Sequence, residues 1–273
     1  MERKEKIEMP VPNRYTQIIE RIFFGYFSVG VTEFEFEREE FRIAADDLGL
    51  RAPDNLGDIP YTYRYRQPLP EKIRATTPIG MDWIIRAAGI GRYRFVLVPI
   101  FELSPAINLV ETKILDATPG IITKYALGDE QALLAIVRFN RLIDIFTGLT
   151  CYSLQNHLRT TVPEMGQVEV DELYIGVDKR GAHYIIPVQA KGHGDKLGIV
   201  QIEQDFALAA AKFPSLRCKS VAAQFMHNGA IALFEMEMNN EKIEIASEKH
   251  YRLVASDQLS ADELSSYARR PVD

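Results

Sequence analysis

The stretch Val168–Lys191, VEVDELYIGVDKRGAHYIIPVQAK, decides how the rest of the chain is read. Val168–Val177 and Ala182–Val188 are rich in β-branched and aromatic residues, and Asp178-Lys179-Arg180-Gly181 between them has turn chemistry. Gly181 is free to take a positive φ, so the segment predicts two antiparallel strands joined by a tight turn. A turn centred on Arg180 sets Asp178 opposite Ala182, Asp171 opposite Gln189 and Glu169 opposite Lys191. Side chains alternate along a strand, and directly opposed residues have Cβ atoms about 5 Å apart. Asp171, Gln189 and Lys191 are therefore expected to share one face as a polar cluster, which a one-residue slip would dissolve.

A carboxylate, an amide oxygen and an ammonium at the end of a hairpin suit metal-assisted hydrolysis. Mg²⁺ takes oxygen ligands and keeps several waters. Asp171 and Gln189 supply two such oxygens and the carbonyl of Ala190 a third, with Lys191 placed to orient a water or to offset charge on a phosphate. With these residues in place the stretch resembles the PD-(D/E)XK nuclease superfamily, which sets an Asp on one strand and acid-x-Lys on the next. The resemblance makes Asp171 the metal-binding carboxylate and Lys191 the lysine, with Gln189 where an acid normally stands. An amide brings no negative charge, so a further carboxylate is expected nearby: Glu169 on the same face, or Asp144 or Glu164 from upstream. A solvated hairpin carrying an Asp, a Gln and a Lys is the plain alternative.

Two neighbouring features bear on that choice. Lys191 follows the apolar run Tyr184-Ile-Ile-Pro-Val188, as in a buried strand, although Pro187 fits an edge or a bulge better. After one short loop, Gly198-Ile-Val-Gln201-Ile-Glu-Gln-Asp205 opens a helix, and strand, strand, helix is the order of the nuclease core. Some members carry a glutamine on that helix, which puts Gln201 in or beside the site. The run from Arg141 through Leu154-Gln155-Asn156-His157-Leu158-Arg159 to Asp205 looks like bacterial endonucleases of restriction type. Gln155 and His157 are supporting candidates, His157 with an equally ordinary structural reading.

The chain has 273 residues, 47% hydrophobic and 26% charged, as expected of a globular protein. No apolar run approaches a membrane span, and the charged N-terminus lacks the apolar stretch of a signal peptide, so the expectation is a cytoplasmic protein without a membrane partner. Cys151 and Cys218 match no zinc spacing and read as reduced thiols. The net charge of −6 argues against unspecific coating of DNA, but its distribution matters more than its sum.

Upstream, apolar periodicity predicts helices over 15–27 and 41–48 and a short one over 69–74. Tyr61, Tyr63 and Tyr65 alternate with Thr62, Arg64 and Arg66, which reads as a strand, and Met81–Val98 reads as a hairpin about Gly89-Ile-Gly91. Helices followed by a hairpin suggest a winged-helix-like α+β module over residues 1–104. Arg64, Arg66, Arg92 and Arg94, interleaved with tyrosines, are its candidate DNA contacts.

Residues 105–273 form the expected nuclease-like α/β domain, a restriction-endonuclease-like mixed sheet flanked by helices. Asp129–Thr147 reads as one helix with a seam of Ala132, Ile136, Phe139, Ile143 and Phe146, capped by Asp129 and stopped by Gly148. Cys151–Arg159 reads as a second short helix. Ser220–Phe234, Lys242–Ala246 and the segment from His250 read as strands, and Ser260 with Glu263 as the capping box of a terminal helix. The resemblance thus implies a Mg²⁺-dependent endonuclease acting on double-stranded DNA, with a homodimer expected for cutting both strands. The competing readings are a non-catalytic DNA-binding protein on the same scaffold, and an interaction module using the tyrosine-rich strand as an edge.

Overall fold

A computed structural model describes residues 13–127, 129–163, 165–192, 197–239 and 242–270. The chain divides into two compact units, the first taking in residues up to Ile100 together with Pro163–Gly166, the second the rest from Phe101.

In the first unit α1 (Arg14–Tyr26) is followed by β1 (Glu33–Glu37), α2 (Glu40–Asp47), α3 (Asp58–Tyr65), α4 (Glu71–Arg74), β2 (Met81–Ala87) and β3 (Arg92–Pro99). Asn13 caps α1 by accepting from the Tyr15 N–H, and the helix buries Ile18, Ile19, Ile22 and Phe23. The strands form an antiparallel sheet in the order β1-β3-β2. Its inner face meets α1 through Phe23, whose ring lies 5.3 Å from Trp83 and 5.1 Å from Phe95 in edge-on contacts.

The tyrosine-rich segment is a helix, not a strand. Alternation over five residues also contains (i, i+4) pairs. Ile59, Pro60 and Tyr63 are the buried residues of α3, while Tyr61 and Tyr65 meet as tilted rings with centroids 5.0 Å apart. Asp58 and Pro60 in the first turn suit a helix start.

The second unit contains β4 (Glu111–Leu115), α5 (Gly120–Tyr125), α6 (Glu130–Phe139), α7 (Leu142–Thr147), β5 (Thr150–Val162), β6 (Gly166–Val177), β7 (His183–Lys191) and α8 (Ile199–Lys212). There follow β8 (Arg217–Cys218), β9 (Ser220–Phe225), β10 (Ile231–Asn239), β11 (Lys242–Val254) and α9 (Ala261–Tyr267). It is mixed α/β: one large sheet in the order β4-β11-β10-β9-β7-β6-β5, with β8 beside β7 and helices on its faces. β7 runs parallel to β9 and antiparallel to β6, so α8 is the crossover between two parallel neighbours.

β7 is covered on both faces, which is why its sequence is nearly continuous in apolar residues. Its even-numbered residues Tyr184, Ile186, Val188 and Ala190 pack with Leu133, Leu134 and Val137 of α6. On the other face Ile202 of α8 packs with Ala222 and Phe234. Pro187 sits in a central strand without losing a ladder bond. β8 pairs with β7 at Tyr184 and Ile185, and β9 joins only from Val188, so the missing N–H falls in the gap between them.

Two helical expectations are corrected. Residues 129–147 form two helices, broken where Asn140 turns its side chain inward and Arg141 takes φ +50°. The Asn140 amide accepts from the Ala117 N–H and donates to Thr118 Oγ1 and the Ile136 carbonyl, which fixes the break. The buried seam is Leu133, Leu134 and Val137, while Phe139 is exposed. Asp129 and Gly148 do act as cap and stop. Cys151–Arg159 is not a helix but most of β5, an edge strand in which His157 adopts φ +52°. Ser220–Phe234 is two strands, and Ser260 and Glu263 form the capping box of α9.

Candidate active site

The hairpin at the centre of the second unit keeps the predicted register from Val177↔His183 to Glu172↔Val188. Gly181 has φ +83°, and the Asp178 carboxylate accepts from the N–H groups of Ala182 and Arg180 at 2.9 and 2.8 Å. These bonds, the one from Ala182 foremost, hold the Asp178 carboxyl down at about 2. Past Glu172 the two strands part. The Ala190 N–H is taken by the Asp171 carboxylate, at 2.9 Å to Oδ2, and Gln189 Nε2 reaches the Glu169 carbonyl at 3.4 Å. The parting puts one side-chain acceptor, Asp171, and one side-chain donor, Gln189, where ladder bonds would otherwise run.

Asp171 and Gln189 sit on adjacent strands where the ladder ends, and α8 packs on Gln189. Gln189 is 1% exposed, and its Nε2 donates to Asp205 Oδ1 at 2.8 Å. The other oxygen of Asp205, Oδ2, accepts from Ser220 Oγ at 2.8 Å. Asp205 is fully buried, and burial drives its carboxyl up to about 7 against those two hydrogen bonds. Gln201 lies in the first turn of α8, where its Oε1 accepts from the Gly198 N–H at 3.4 Å. The residue of this helix that meets Gln189 is Asp205, one turn further on.

Lys191 reaches Glu130, at the start of α6, with Nζ 2.9 Å from Oε1. Burial raises the Asp171 carboxyl above its ordinary range. The Lys191 charge opposes that rise, and Glu130 and Glu169 add to it. Asp171 thus lies within electrostatic reach of both Lys191 and Glu130. Glu130, Asp205 and Ser220 were not expected here. The signal for Glu130 was its place beside the cap Asp129. For Asp205 it was the spacing of four from Gln201, which puts both on one side of a helix.

Other candidates lie elsewhere. Glu169 turns its carboxylate to β5, 3.2 Å from His157 Nε2 and 3.0 Å from Arg159 Nε. Gln155 is exposed on the same edge strand. Asp144 accepts from the Cys151 N–H and pairs with Arg141, apart from this cluster. Glu164 lies outside the described residues. Ala190 is wholly buried and pairs with Ala223 of β9.

In the first unit, Arg94 pairs with Glu35 and lies 3.6 Å from Glu33, and Arg92 is 3.9 Å from Glu35. The acids of β1 thus offset the arginines of β3. Arg64 and Arg66 instead stack on Tyr65 and Tyr61, each guanidinium carbon 4.9 Å from the ring centroid.

Comparison with family models, curated proteins and solved structures gives no match. What the site can do rests on its chemistry. Among the described residues no three His, Cys, Asp or Glu side chains form a ready cage for an ion. A hard cation held through few protein ligands and several waters would draw on the oxygens of Asp171, the Gln189 amide and Glu130. A carboxyl raised by burial and by neighbouring acids is one whose ionised form a cation would favour. Among the described residues no helix is long and apolar enough to cross a membrane.

Proposed function

We propose that this chain is a Mg²⁺-dependent endonuclease of restriction type, hydrolysing phosphodiester bonds in double-stranded DNA on a restriction-endonuclease-like scaffold. What supports the reading is the parting of β6 and β7 beside Asp171 and Gln189, with Asp171 on the Ala190 N–H and Lys191 on Glu130. The order α6, β5, β6, β7, α8 and parallel β9 supports the scaffold.

Asp171 and Gln189 are the residues that would hold the ion, with Glu130 as a further carboxylate. The ion supplies activation of a water and neutralisation of phosphate charge when bound. Lys191 orients the nucleophile or offsets charge at the phosphate, and Glu130 holds its ammonium in place until substrate arrives. In the first unit, which we read as winged-helix-like, the corrected position of α3 moves the proposed DNA contact. Tyr61, Arg64, Tyr65 and Arg66 offer rings and guanidinium groups on the less buried side of α3, whereas Arg92 and Arg94 are largely offset by β1. Cutting both strands calls for two copies, hence a homodimer.

The test is supercoiled plasmid with Mg²⁺ and with EDTA. The expected result is metal-dependent nicking that Asp171→Ala and Lys191→Ala abolish while both variants keep their fold. Cleavage by both variants at the wild-type rate overturns the assignment. A non-catalytic DNA-binding role is the second reading, favoured by the almost complete burial of Gln189. It predicts salt-sensitive DNA binding, lost in Arg64→Ala/Arg66→Ala, with no nicking under any metal.

A further inference from the structure

We infer that Asp205 is a positioning residue for Gln189: it holds the amide nitrogen so that the amide oxygen is the end left for the site, and it is the reason an amide stands at position 189. This deepens the metal-dependent reading and rests on it.

A glutamine side chain can present either its oxygen or its nitrogen to a ligand, and only the oxygen suits a cation. Here both amide hydrogens are committed, one to Asp205 Oδ1 at 2.8 Å and one, more loosely, to the Glu169 carbonyl at 3.4 Å. With Asp205 ionised, the alternative rotamer would set the Gln189 oxygen against its carboxylate, two acceptors facing each other in the interior. Asp205 is itself held from behind by Ser220 Oγ at 2.8 Å and is fully buried. Three elements, β6, α8 and β9, thus fix the orientation of one amide on β7.

The same contact accounts for the residue type. A glutamate at position 189 would bring two carboxylates to hydrogen-bond distance in the interior, so one would have to hold a proton or the pair would have to separate. An amide donates there instead. Exchanging the two side-chain types, Gln189→Glu with Asp205→Asn, keeps the shape and the hydrogen bond. The amide introduced at position 205 would donate its N–H to the carboxylate introduced at position 189 and accept from Ser220 with its oxygen. The charge would then move one residue closer to Asp171.

The experiment uses the full chain with Mg²⁺ alone as probe. It reads Mg²⁺ affinity by titration calorimetry and folding by the urea midpoint at pH 8. Asp205→Asn keeps an acceptor for the Gln189 N–H and should leave Mg²⁺ affinity within about threefold of wild type. Asp205→Ala removes the anchor and should weaken it about 10- to 100-fold, the usual effect of losing a group that orients a metal ligand. Gln189→Glu alone should lower the midpoint. Gln189→Glu/Asp205→Asn should restore it and bind Mg²⁺ more tightly than wild type.

Should Asp205→Ala fail to fold, the exchange pair decides. The inference is overturned if Gln189→Glu alone is as stable as wild type and binds Mg²⁺ more tightly, or if Asp205→Ala changes the midpoint and not the affinity. If wild type binds no Mg²⁺, the nuclease reading fails by itself. The contact between positions 189 and 205 is then judged by the midpoints, and additive effects of the two substitutions overturn it.

Discussion

Asp205 makes the stability of this protein depend on pH in a direction opposite to that of an ordinary paired carboxylate. Burial lifts its carboxyl from an ordinary 3.8 to about 7, so the folded chain keeps a proton that the unfolded chain releases. Stability from this group is complete below pH 4, is lost as pH rises from about 4 to about 7, and changes little above that. At about 1.4 kcal/mol per decade of pKa, the whole effect is about 4 kcal/mol.

Asp205→Asn has nearly the same shape, accepts from Gln189 and donates to Ser220, but cannot ionise. Carboxylates remote from Asp205 are common to both proteins and cancel in the difference, and Asp171 is the neighbour coupled to it. Urea unfolding of the two proteins between pH 4.5 and pH 8 should show the variant gaining on wild type by about 3 kcal/mol, with most of the gain below pH 7. A difference that stays flat across this range, or that favours wild type as pH rises, would refute the reasoning. It would mean that the hydrogen bonds from Gln189 and Ser220 outweigh desolvation.

Two further substitutions probe the frame around the site. A Cβ at Gly176 would lie 2.9 Å from Ile186 Cδ1 and 2.9 Å from Leu149 Cδ1, both in the packed core, so Gly176→Ala should lower unfolding stability by about 1–3 kcal/mol. Unchanged stability would mean that this layer is loosely packed. Asn140→Ala strips the Ala117 N–H of its acceptor and removes two donated bonds at the break between α6 and α7, for a loss of about 1–3 kcal/mol. Asn140→Asp keeps the acceptor for Ala117 and should recover part of that loss in the same denaturation assay.

The hairpin was legible because three local signals agreed: β-branched residues on both arms, a glycine where the turn needs positive φ, and a pairing fixed by the turn. The capped starts of α6 and α9 were legible for the same reason, since a cap acts within three residues. The errors arose where one pattern served two structures. Tyr61, Tyr63 and Tyr65 satisfy a period of two, yet Ile59–Tyr63 and Tyr61–Tyr65 also satisfy a helix, and Asp58 and Pro60 decided between them. Cys151–Arg159 lacked a period because β5 is an edge strand with most of its residues exposed. The helix break at Asn140 depended on Ala117 and Thr118, partners more than 20 residues away in sequence.

The amide at position 189 is the sharpest case. From sequence, a glutamine in place of an acid reads as a lost charge that some nearby carboxylate must make good, and Glu169, Asp144 and Glu164 were the candidates because they stand close along the chain. In the fold, Glu169 is engaged by His157 and Arg159, and Asp144 by Cys151 and Arg141. The acids that meet the site come from two helices instead: Glu130 from the start of α6, and Asp205 from the second turn of α8. Asp205 stands 2.8 Å behind Gln189 rather than beside Asp171, so the carboxylate is not a substitute ligand. It is the group that makes an amide, and not an acid, the side chain compatible with position 189. A residue type that looks like a departure along the strand is therefore what the packing of α8 against β7 requires.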